Sequence, residues 1–228
     1  MEAAAIAQRL QLRAHPSLAL AWSSECVQVV VVGIRAVRLA EVVGWVREFE
    51  PAGTIIAGVG GGLAPQLKVG DVVVDGRLHK ELPGVHLGRI HTAEKIVATP
   101  EEKAELFART GALTVDMETG LIQPHLGAFW SKKACEMNPN VVNLELIPTI
   151  LAVRAISDAA DMTLDARMLT LVDAMGRPRM GKVLGMLLRR PAMIGELLSL
   201  RRQTNAALQG LVEVVEKLTT NPEIWLEC

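Results

Sequence analysis

Three short runs of apolar, mostly β-branched residues most constrain how this chain can fold. They cover residues 26–33, 53–57 and 71–75. Such runs are typical of strands buried on both faces of a sheet, and a helix-like stretch, residues 34–49, separates the first two. The positions of that helix predicted to face the core are Val37, Leu39, Ala40, Val43 and Val46. Strands joined by helices of this length form βαβ units, so we expect an α/β protein with a mixed, mostly parallel sheet flanked by helices.

The second half of the chain continues the alternation of helices and strands. Thr99, Pro100 and Glu102 have the order of a capping box with proline at the first helical position, which predicts a helix start. Residues 114–116 and 150–157 are predicted strands, the first followed by a helix from Met117. The pattern is helical over 164–218, and no internal repeat or linker divides the chain. We therefore expect one domain over residues 1–228 with a helical C-terminal part.

Composition excludes several classes of protein. The 228 residues carry 24 Lys and Arg against 25 Asp and Glu, and only 3% are aromatic, so neither a basic surface nor a stacking platform for nucleic acid is expected. Half of the residues are hydrophobic, which excludes disorder of the whole chain. The longest uncharged run, residues 51–67, is too short to span a bilayer, and the N-terminus does not resemble a signal peptide. Cys26, Cys135 and Cys228 form no CxxC pair and are expected to be reduced and buried, which predicts a cytoplasmic protein.

A glycine-rich run at residues 58–62 follows the second predicted strand and is expected to end it. A dinucleotide fingerprint is excluded, because Leu63 stands where its third glycine belongs and no helix follows. A P-loop is excluded because no Gly-Lys-Ser/Thr sequence follows. Two interpretations remain: a loop whose backbone N–H groups approach an anion or a sugar, or a tight turn that requires positive φ.

Two acidic residues follow predicted strands. Glu118 is expected in the first turn of a helix, where it could bridge two vicinal hydroxyls or be an ordinary first-turn acid. Asp158 ends the segment Arg154-Ala-Ile-Ser-Asp, where it could act as a general acid in a dry cleft or cap the following segment.

Taken together, these segments resemble the nucleoside phosphorylase/5′-methylthioadenosine nucleosidase superfamily. The resemblance rests on the order of residues 60–74, 115–118 and 153–161, and on the turn at residues 33–35. The C-terminal stretch, residues 171–202, looks like the hopanoid-associated phosphorylase branch.

The resemblance implies cleavage of a purine N-glycosidic bond. Asp158 would protonate or hydrogen-bond N7 of the base, Glu118 would hold the ribose hydroxyls and Met117 would pack on the sugar. Gly60 and Gly61, with Arg35, would lie beside the incoming phosphate or water. The same motifs make Asp116 and Ser157 candidate substrate-binding residues, and Glu2 a candidate for the nucleophile site. Cofactors are not expected, with inorganic phosphate a co-substrate in the phosphorolytic alternative, and family members are expected to form homo-oligomers.

The sequence departs from that family in four places. Relatives begin with a strand that ends in Met-Glu, whereas here Met1 and Glu2 start the sequence, so that strand is expected to be missing. Val59 stands where hydrolases often have a polar residue. The chain between the motif at residues 115–118 and the motif at residues 153–161 is longer than expected for the family, so residues 120–146 are predicted to be an insertion. No aromatic residue can be assigned to the base, so Phe129 and Trp130, within the insertion, are predicted to line or cover the pocket.

Two further features have open interpretations. His86 and His91 are five residues apart, and the sequence shows no third metal ligand for them. Packed or solvated histidines are therefore expected, and no metal site is predicted. Residues 177–202 hold seven basic residues and one acid among apolar positions. They could form a core helix with a solvated basic face or a surface that contacts anionic lipid, which would suit a lipid-linked nucleoside.

The sequence therefore predicts an enzyme that releases the base of a 5′-substituted adenosine or related purine nucleoside. Phosphorolysis is favoured slightly over hydrolysis. A methylthioadenosine/S-adenosylhomocysteine nucleosidase is the alternative enzyme. A catalytically impaired nucleoside-binding or scaffold protein is the alternative from another class, because of the missing strand and the insertion.

Overall fold

The computed structural model describes residues 2–137, 149–164, 173–175 and 193–226. Its centre is a six-stranded mixed sheet. In spatial order the strands are β6 (Val85–Leu87), β5 (Val72–Asp75), β9 (Thr149–Asp158), β4 (Gly53–Gly62), β8 (Thr114–Asp116) and β7 (Ile90–Thr92). The pairs β6–β5, β9–β4 and β8–β7 are parallel, and β5–β9 and β4–β8 are antiparallel. The predicted α/β class with a mixed sheet is confirmed.

Helices cover both faces of this sheet. Buried side chains of β9 alternate between them: Leu151 and Val153 belong to a core with the C-terminal helix, and Ala152 to a core with two other helices. The helices are α1 (Glu2–Arg9), α2 (Leu39–Phe49), α3 (Pro100–Thr110), α4 (Thr119–Met137) and α5 (Met193–Thr220), with 3-10 turns at Ile34–Ala36 and Pro222–Ile224. No described helix is long and apolar enough to cross a membrane.

The first predicted strand is shorter than expected and lies outside the central sheet. β3 (Gln28–Val30) is half-buried and pairs with β2 (Ala21–Ser23), which pairs with β1 (Arg13–Ala14) in a separate antiparallel sheet. The prediction of a strand in the β-branched run is confirmed, but the prediction that both of its faces are buried is wrong. Cys26, next to this strand, is exposed rather than buried.

The helix predicted over residues 34–49 begins later, at Leu39. Arg35 and Ala36 have φ of 54° and 53°, so the backbone leaves the helical region and forms a short turn first. Val43 and Val46 face the core as predicted, but Val37 is 57% exposed and Ala40 is also exposed. The helix ends at Phe49, and its C-cap residue Glu50 adopts the left-handed conformation just before Pro51.

Three other boundaries bear on the site. β4 runs through the glycines to Gly62, so the expected strand end at Gly58 is wrong. The capping box at Thr99 and Glu102 is confirmed, as are the strands that end at Asp116 and Asp158. The helix expected from Met117 begins at Thr119.

Candidate active site

A buried ion pair lies at the carboxyl end of β9. Nζ of Lys103, on α3, is 2.7 Å from Oδ2 of Asp158, and the two side chains are 0% and 3% exposed. The ammonium also donates to the carbonyl oxygens of Ala159 and Met162, at 2.7 and 2.9 Å. An ammonium has three N–H donors, so each donor of Lys103 has an acceptor. The charge of Asp158 is thus compensated inside the protein.

Ser157 contacts the other oxygen of Asp158. Its Oγ lies 2.7 Å from Oδ1 of Asp158 and 3.2 Å from the carbonyl oxygen of Gly60. A hydroxyl has one proton, and the shorter distance and the acceptor's charge favour donation to Asp158. Each carboxylate oxygen accepts about two hydrogen bonds, so Asp158 keeps acceptor capacity for a ligand. The segment after Asp158, residues 159–164, is not helical, so Asp158 does not cap a helix there.

The glycine run brings backbone against this carboxylate. No glycine in residues 58–62 has positive φ, so the tight-turn interpretation is wrong. A Cβ on Gly60 would lie 2.8 Å from the carbonyl oxygen of Val115, and one on Gly61 would lie 3.1 Å from Oδ2 of Asp158. The small residues are therefore needed for close packing of β4 against β8 and the site, and the register of β4 on β9 shifts between these two glycines.

Asp116 belongs to a second buried ion pair. Its Oδ2 lies 2.6 Å from Nη2 and 2.8 Å from Nε of Arg154, and it also accepts from the backbone N–H and hydroxyl of Thr119. Its Oδ1 accepts from the hydroxyl of Thr92 at 2.7 Å. Burial opposes ionisation, but the charge of Arg154 and these hydrogen bonds outweigh it and hold the pKa of Asp116 below its ordinary value. Since both oxygens have partners, the geometry makes Asp116 a positioning residue that ties β8 to β9 and α4.

Glu118 lies one residue before α4 rather than in its first turn. Its carbonyl oxygen accepts from the N–H groups of Leu121 and Ile122, so it occupies the N-terminal cap position. Its Oε1 accepts from the backbone N–H of Arg35 at 2.9 Å, and Oε2 lies 3.3 Å from the N–H of Met117. The carboxylate therefore links the turn at residues 33–35 to the start of α4.

One cavity of about 1060 Å³ brings most of the predicted site residues together. They come from β4, from the β8–α4 junction, from the end of β9 and from α1, namely Gly60, Gly61, Asp116, Met117, Glu118, Ser157, Asp158 and Glu2. Arg35 is exposed and does not line this cavity, so its contribution seen here is its backbone N–H. Direct contacts of these predicted site residues with a ligand stay predictions.

Lys103 is the site residue that sequence reasoning missed. A signal was available, because Lys103 and Leu106 are three residues apart on the helix that the capping box predicts, and both are buried. A lysine on the apolar face of an amphipathic helix needs a buried partner, since an unpaired buried ammonium is costly. Only the fold could show that this partner is Asp158.

The predicted aromatic cover of the pocket stays a prediction. The described part of the chain does not include the side chains of Phe129 and Trp130 or residues 138–148. Nε2 of His86 lies 3.6 Å from Oδ2 of Asp71, a contact that needs no metal.

Comparisons with known proteins place the fold among nucleosidases. No protein-family model matches the chain, and no curated protein matches its sequence. Solved structures do match over nearly the whole chain. The 5′-methylthioadenosine/S-adenosylhomocysteine nucleosidase of Helicobacter pylori is 13% identical, with 96% of this chain and 94% of that one covered at a TM-score of 0.59.

Two further structures give the same result. Futalosine hydrolase of Helicobacter pylori is 14% identical, covering 96% of this chain and 93% of that one with a TM-score of 0.57. The Neisseria meningitidis 5′-methylthioadenosine/S-adenosylhomocysteine nucleosidase, in complex with methylthio-immucillin-A, is 18% identical, with 97% and 96% covered and a TM-score of 0.55. At these identities the comparison establishes the fold, and it agrees with the fold that the motifs imply.

Proposed function

We propose that this chain cleaves the N-glycosidic bond of a purine nucleoside and releases the free base. The observation that carries the proposal is the buried carboxylate of Asp158, hydrogen-bonded by Ser157 and Lys103, in one cavity with Glu118. A carboxyl group fixed by two donors in a water-poor site can act on a ring nitrogen of a departing base, because its position is set before the ligand arrives.

Each residue then has a distinct part in bond cleavage. Asp158 hydrogen-bonds N7 of the base through a shared proton, which is supplied in the overall reaction by the water or hydrogen phosphate that attacks the sugar, so that the base leaves as a neutral group. Glu118 accepts from the ribose hydroxyls, and its four acceptor positions let it keep the N–H of Arg35 at the same time. Met117 packs on the sugar. As the bond lengthens, the ribose gains positive charge, which the carboxylate of Glu118 favours.

Phosphate or water completes the reaction from the glycine side of the cavity. Gly60, Gly61 and Glu2, all of which line the cavity, are the groups proposed for this position. Arg35 is proposed to act beside it, from the turn whose backbone N–H donates to Glu118. A phosphate anion would bring its own negative charge to the oxocarbenium-like ribose, whereas water needs a base. Base release measured with and without inorganic phosphate distinguishes the two, and no other cofactor is proposed.

The substrate proposed is an adenosine-type nucleoside with a 5′ substituent. A methylthioadenosine/S-adenosylhomocysteine nucleosidase is the second candidate, because two of the structural neighbours are enzymes of that name. A panel of adenosine, methylthioadenosine, S-adenosylhomocysteine and inosine, followed by base release, separates the candidates. Binding of these nucleosides without any turnover would instead support the impaired, nucleoside-binding alternative.

The decisive variant is Asp158→Asn. We expect it to abolish base release while nucleoside binding stays measurable, because an amide keeps the shape but cannot supply the proton. Asp161→Asn is the matched control, since Asp161 is exposed and lies three residues further on, and it should leave the rate unchanged. An unchanged rate in Asp158→Asn would remove Asp158 from the mechanism.

The narrower features of the resemblance also belong to this proposal. A substrate of the hopanoid-associated branch would be lipid-linked, and a basic surface over residues 177–202 would bring the enzyme to anionic lipid in the cytosol. Residues 176–192 lie outside the described part, and residues 193–202 form the start of α5. Flotation with anionic liposomes at low and high salt tests the contact with lipid. Absence of binding at low salt would contradict this part of the proposal. Light scattering tests the proposed homo-oligomer.

A further inference from the structure

Lys103 reaches Asp158 from inside the protein and not from the cavity. Asp158 and Ser157 line the cavity, whereas Lys103, Ala159 and Met162 are not among the residues that do. The ammonium of Lys103 is nevertheless in direct contact with the carboxylate, with Nζ 2.7 Å from Oδ2. A ligand in the cavity would therefore meet Asp158 without touching Lys103. Any effect of Lys103 on a reaction there has to act through the groups that it holds.

The same ammonium holds the segment that follows Asp158. Residues 159–164 form neither helix nor strand. Two carbonyl oxygens of this segment, those of Ala159 and Met162, accept from Nζ of Lys103 at 2.7 and 2.9 Å. A segment outside helices and strands lacks a regular ladder of backbone hydrogen bonds, so its position depends on such side-chain donors. Lys103 therefore fixes the carboxylate and the backbone next to it at the same time.

The held segment leads to the cavity wall. The N–H of Leu164 donates to the carbonyl oxygen of Ala98 at 2.8 Å, and Leu164 lines the cavity. Ala98 directly precedes Thr99, the N-terminal cap of α3, and Lys103 is the fourth residue of that helix. The start of α3 thus holds residues 158–164 at two places, one beside the carboxylate and one at the wall.

We propose that Lys103 is a positioning residue for base release. It holds the carboxylate of Asp158 toward the cavity, and it keeps residues 159–164 in the position from which Leu164 lines the site. This inference rests on the proposed function, because it gives Lys103 a part in that reaction. A reacting group has to be held within about 0.5 Å of its productive position, and the three converging hydrogen bonds of one ammonium provide such a restraint.

The first measurement is hydrogen exchange without substrate. In Lys103→Met the two carbonyl oxygens lose their donor, so backbone amides in residues 159–164 should exchange about tenfold faster than in the parent chain. Leu211→Ala is the matched control, because it also destabilises the fold, by a cavity in the core beside α5, while Leu211 does not line the site. Exchange in residues 159–164 should be unchanged in that control.

Lys103→Arg is measured beside Lys103→Met. It keeps the positive charge next to Asp158, so it tests the proposal even where Lys103→Met does not fold. The forked guanidinium cannot direct three donors to the acceptors of a single ammonium. We therefore expect a change in the same direction as in Lys103→Met, but a smaller one.

The second measurement compares two leaving groups. A purine leaves with the help of Asp158, whereas 4-nitrophenolate leaves without a proton, because the nitro group stabilises its negative charge. In Lys103→Met we expect base release from a purine nucleoside that the parent chain cleaves to fall about 100-fold, and nitrophenolate release from 4-nitrophenyl riboside to fall less than about threefold. A loss of folded protein lowers both rates equally, so the ratio of the two rates reports how Asp158 is positioned.

Faster exchange in residues 159–164 of the Lys103 variants, absent in Leu211→Ala, together with a rate loss specific to purine nucleosides, supports the proposal. Exchange equal to that of the parent chain overturns it. An equal rate loss for both leaving groups, or no loss, also overturns it, since Lys103 would then be structural only. If the parent chain cleaves neither substrate, the proposed function fails, and with it the catalytic part of this inference. The exchange measurement then still decides whether Lys103 holds residues 159–164.

Discussion

At the scale of single residues, the most consequential side chain is Lys103. It is fully buried, its three donors are all used, and it provides the charge that faces Asp158. A buried pair is weak support for high stability, because desolvation offsets much of the attraction. Breaking such a pair is costly nevertheless, because the remaining charge stays buried without compensation.

We therefore expect Lys103→Met to lower the free energy of unfolding by about 3–5 kcal/mol in urea titrations. The double variant Lys103→Met/Asp158→Leu should recover a large part of that loss, since no charge is left unpaired. Lys80→Met is the matched control, because Lys80 is 60% exposed and only 3.5 Å from Glu223. Its substitution should change stability by less than about 1 kcal/mol. Equal effects of the Lys103 and Lys80 substitutions would contradict this account.

The glycine run offers a second comparison within one strand. In Gly60→Ala the new methyl would lie 2.8 Å from a backbone carbonyl oxygen, so β4 or β8 must move. We expect a loss of about 1–3 kcal/mol in unfolding free energy and a large loss of turnover. In Gly58→Ala the nearest atom is the end of the Arg154 side chain at 3.4 Å, so stability should stay within about 1 kcal/mol of the parent. Chemical denaturation of both variants tests the difference.

At the scale of elements, the Asp116–Arg154 pair connects β8, β9 and α4. Because the pKa of Asp116 is lower in the folded protein than in the unfolded chain, the unfolded chain binds more protons between the two values. The stability that this pair contributes is fully present above the unfolded pKa of about 3.9 and is lost as pH falls through the folded value.

Urea unfolding measured from pH 7 to pH 2.5 should show this loss below about pH 4. The loss should be smaller in Asp116→Asn/Arg154→Leu, which removes the titrating group together with its buried partner. Glu41→Gln is the control, since the pKa of Glu41 is also lowered, by Arg38, but its carboxylate is exposed. That variant should keep most of the parent's pH dependence. An identical profile for the double variant would show that Asp116 is not responsible.

The same elements show what the sequence could predict. The strand that ends at Asp158 and the helix after Thr99 were predictable, because a buried β-branched run and a capping box are local signals. The route of β4 through its glycines was not, because it depends on the carbonyl oxygen of Val115 and the carboxylate of Asp158, which are distant in sequence. The place of the strand near Gln28 also depends on non-local pairing, with β2 rather than with the central sheet.

At the scale of the whole molecule, stability should be unevenly distributed. β9 lies between β4 and β5 with Leu151 to Ile156 at most 2% exposed, whereas β3 is half-buried and has one described partner strand. Amides in such a central strand open only with global unfolding, while less buried parts open locally. Hydrogen exchange followed by mass spectrometry should therefore show the slowest exchange in residues 151–156 and faster exchange in residues 28–30. Equal protection of the two segments would contradict this distribution.

The long ladder between β4 and β9 also has a consequence for how the chain acquires its structure. It pairs residues 53–61 with residues 149–158, so the middle of the sheet cannot close until the intervening chain has been made and brought round. Non-local parallel pairing of this kind requires closure of a long loop before its contacts are gained, which slows folding. During synthesis, β4 is made before its main partner β9, so its edge is unpaired at first. Asp158 is the last residue of β9, which is the last described strand in chain order. The cavity that contains Asp158 is therefore among the last parts of the protein to form, and a chaperone that protects residues 53–62 would act before this cavity exists.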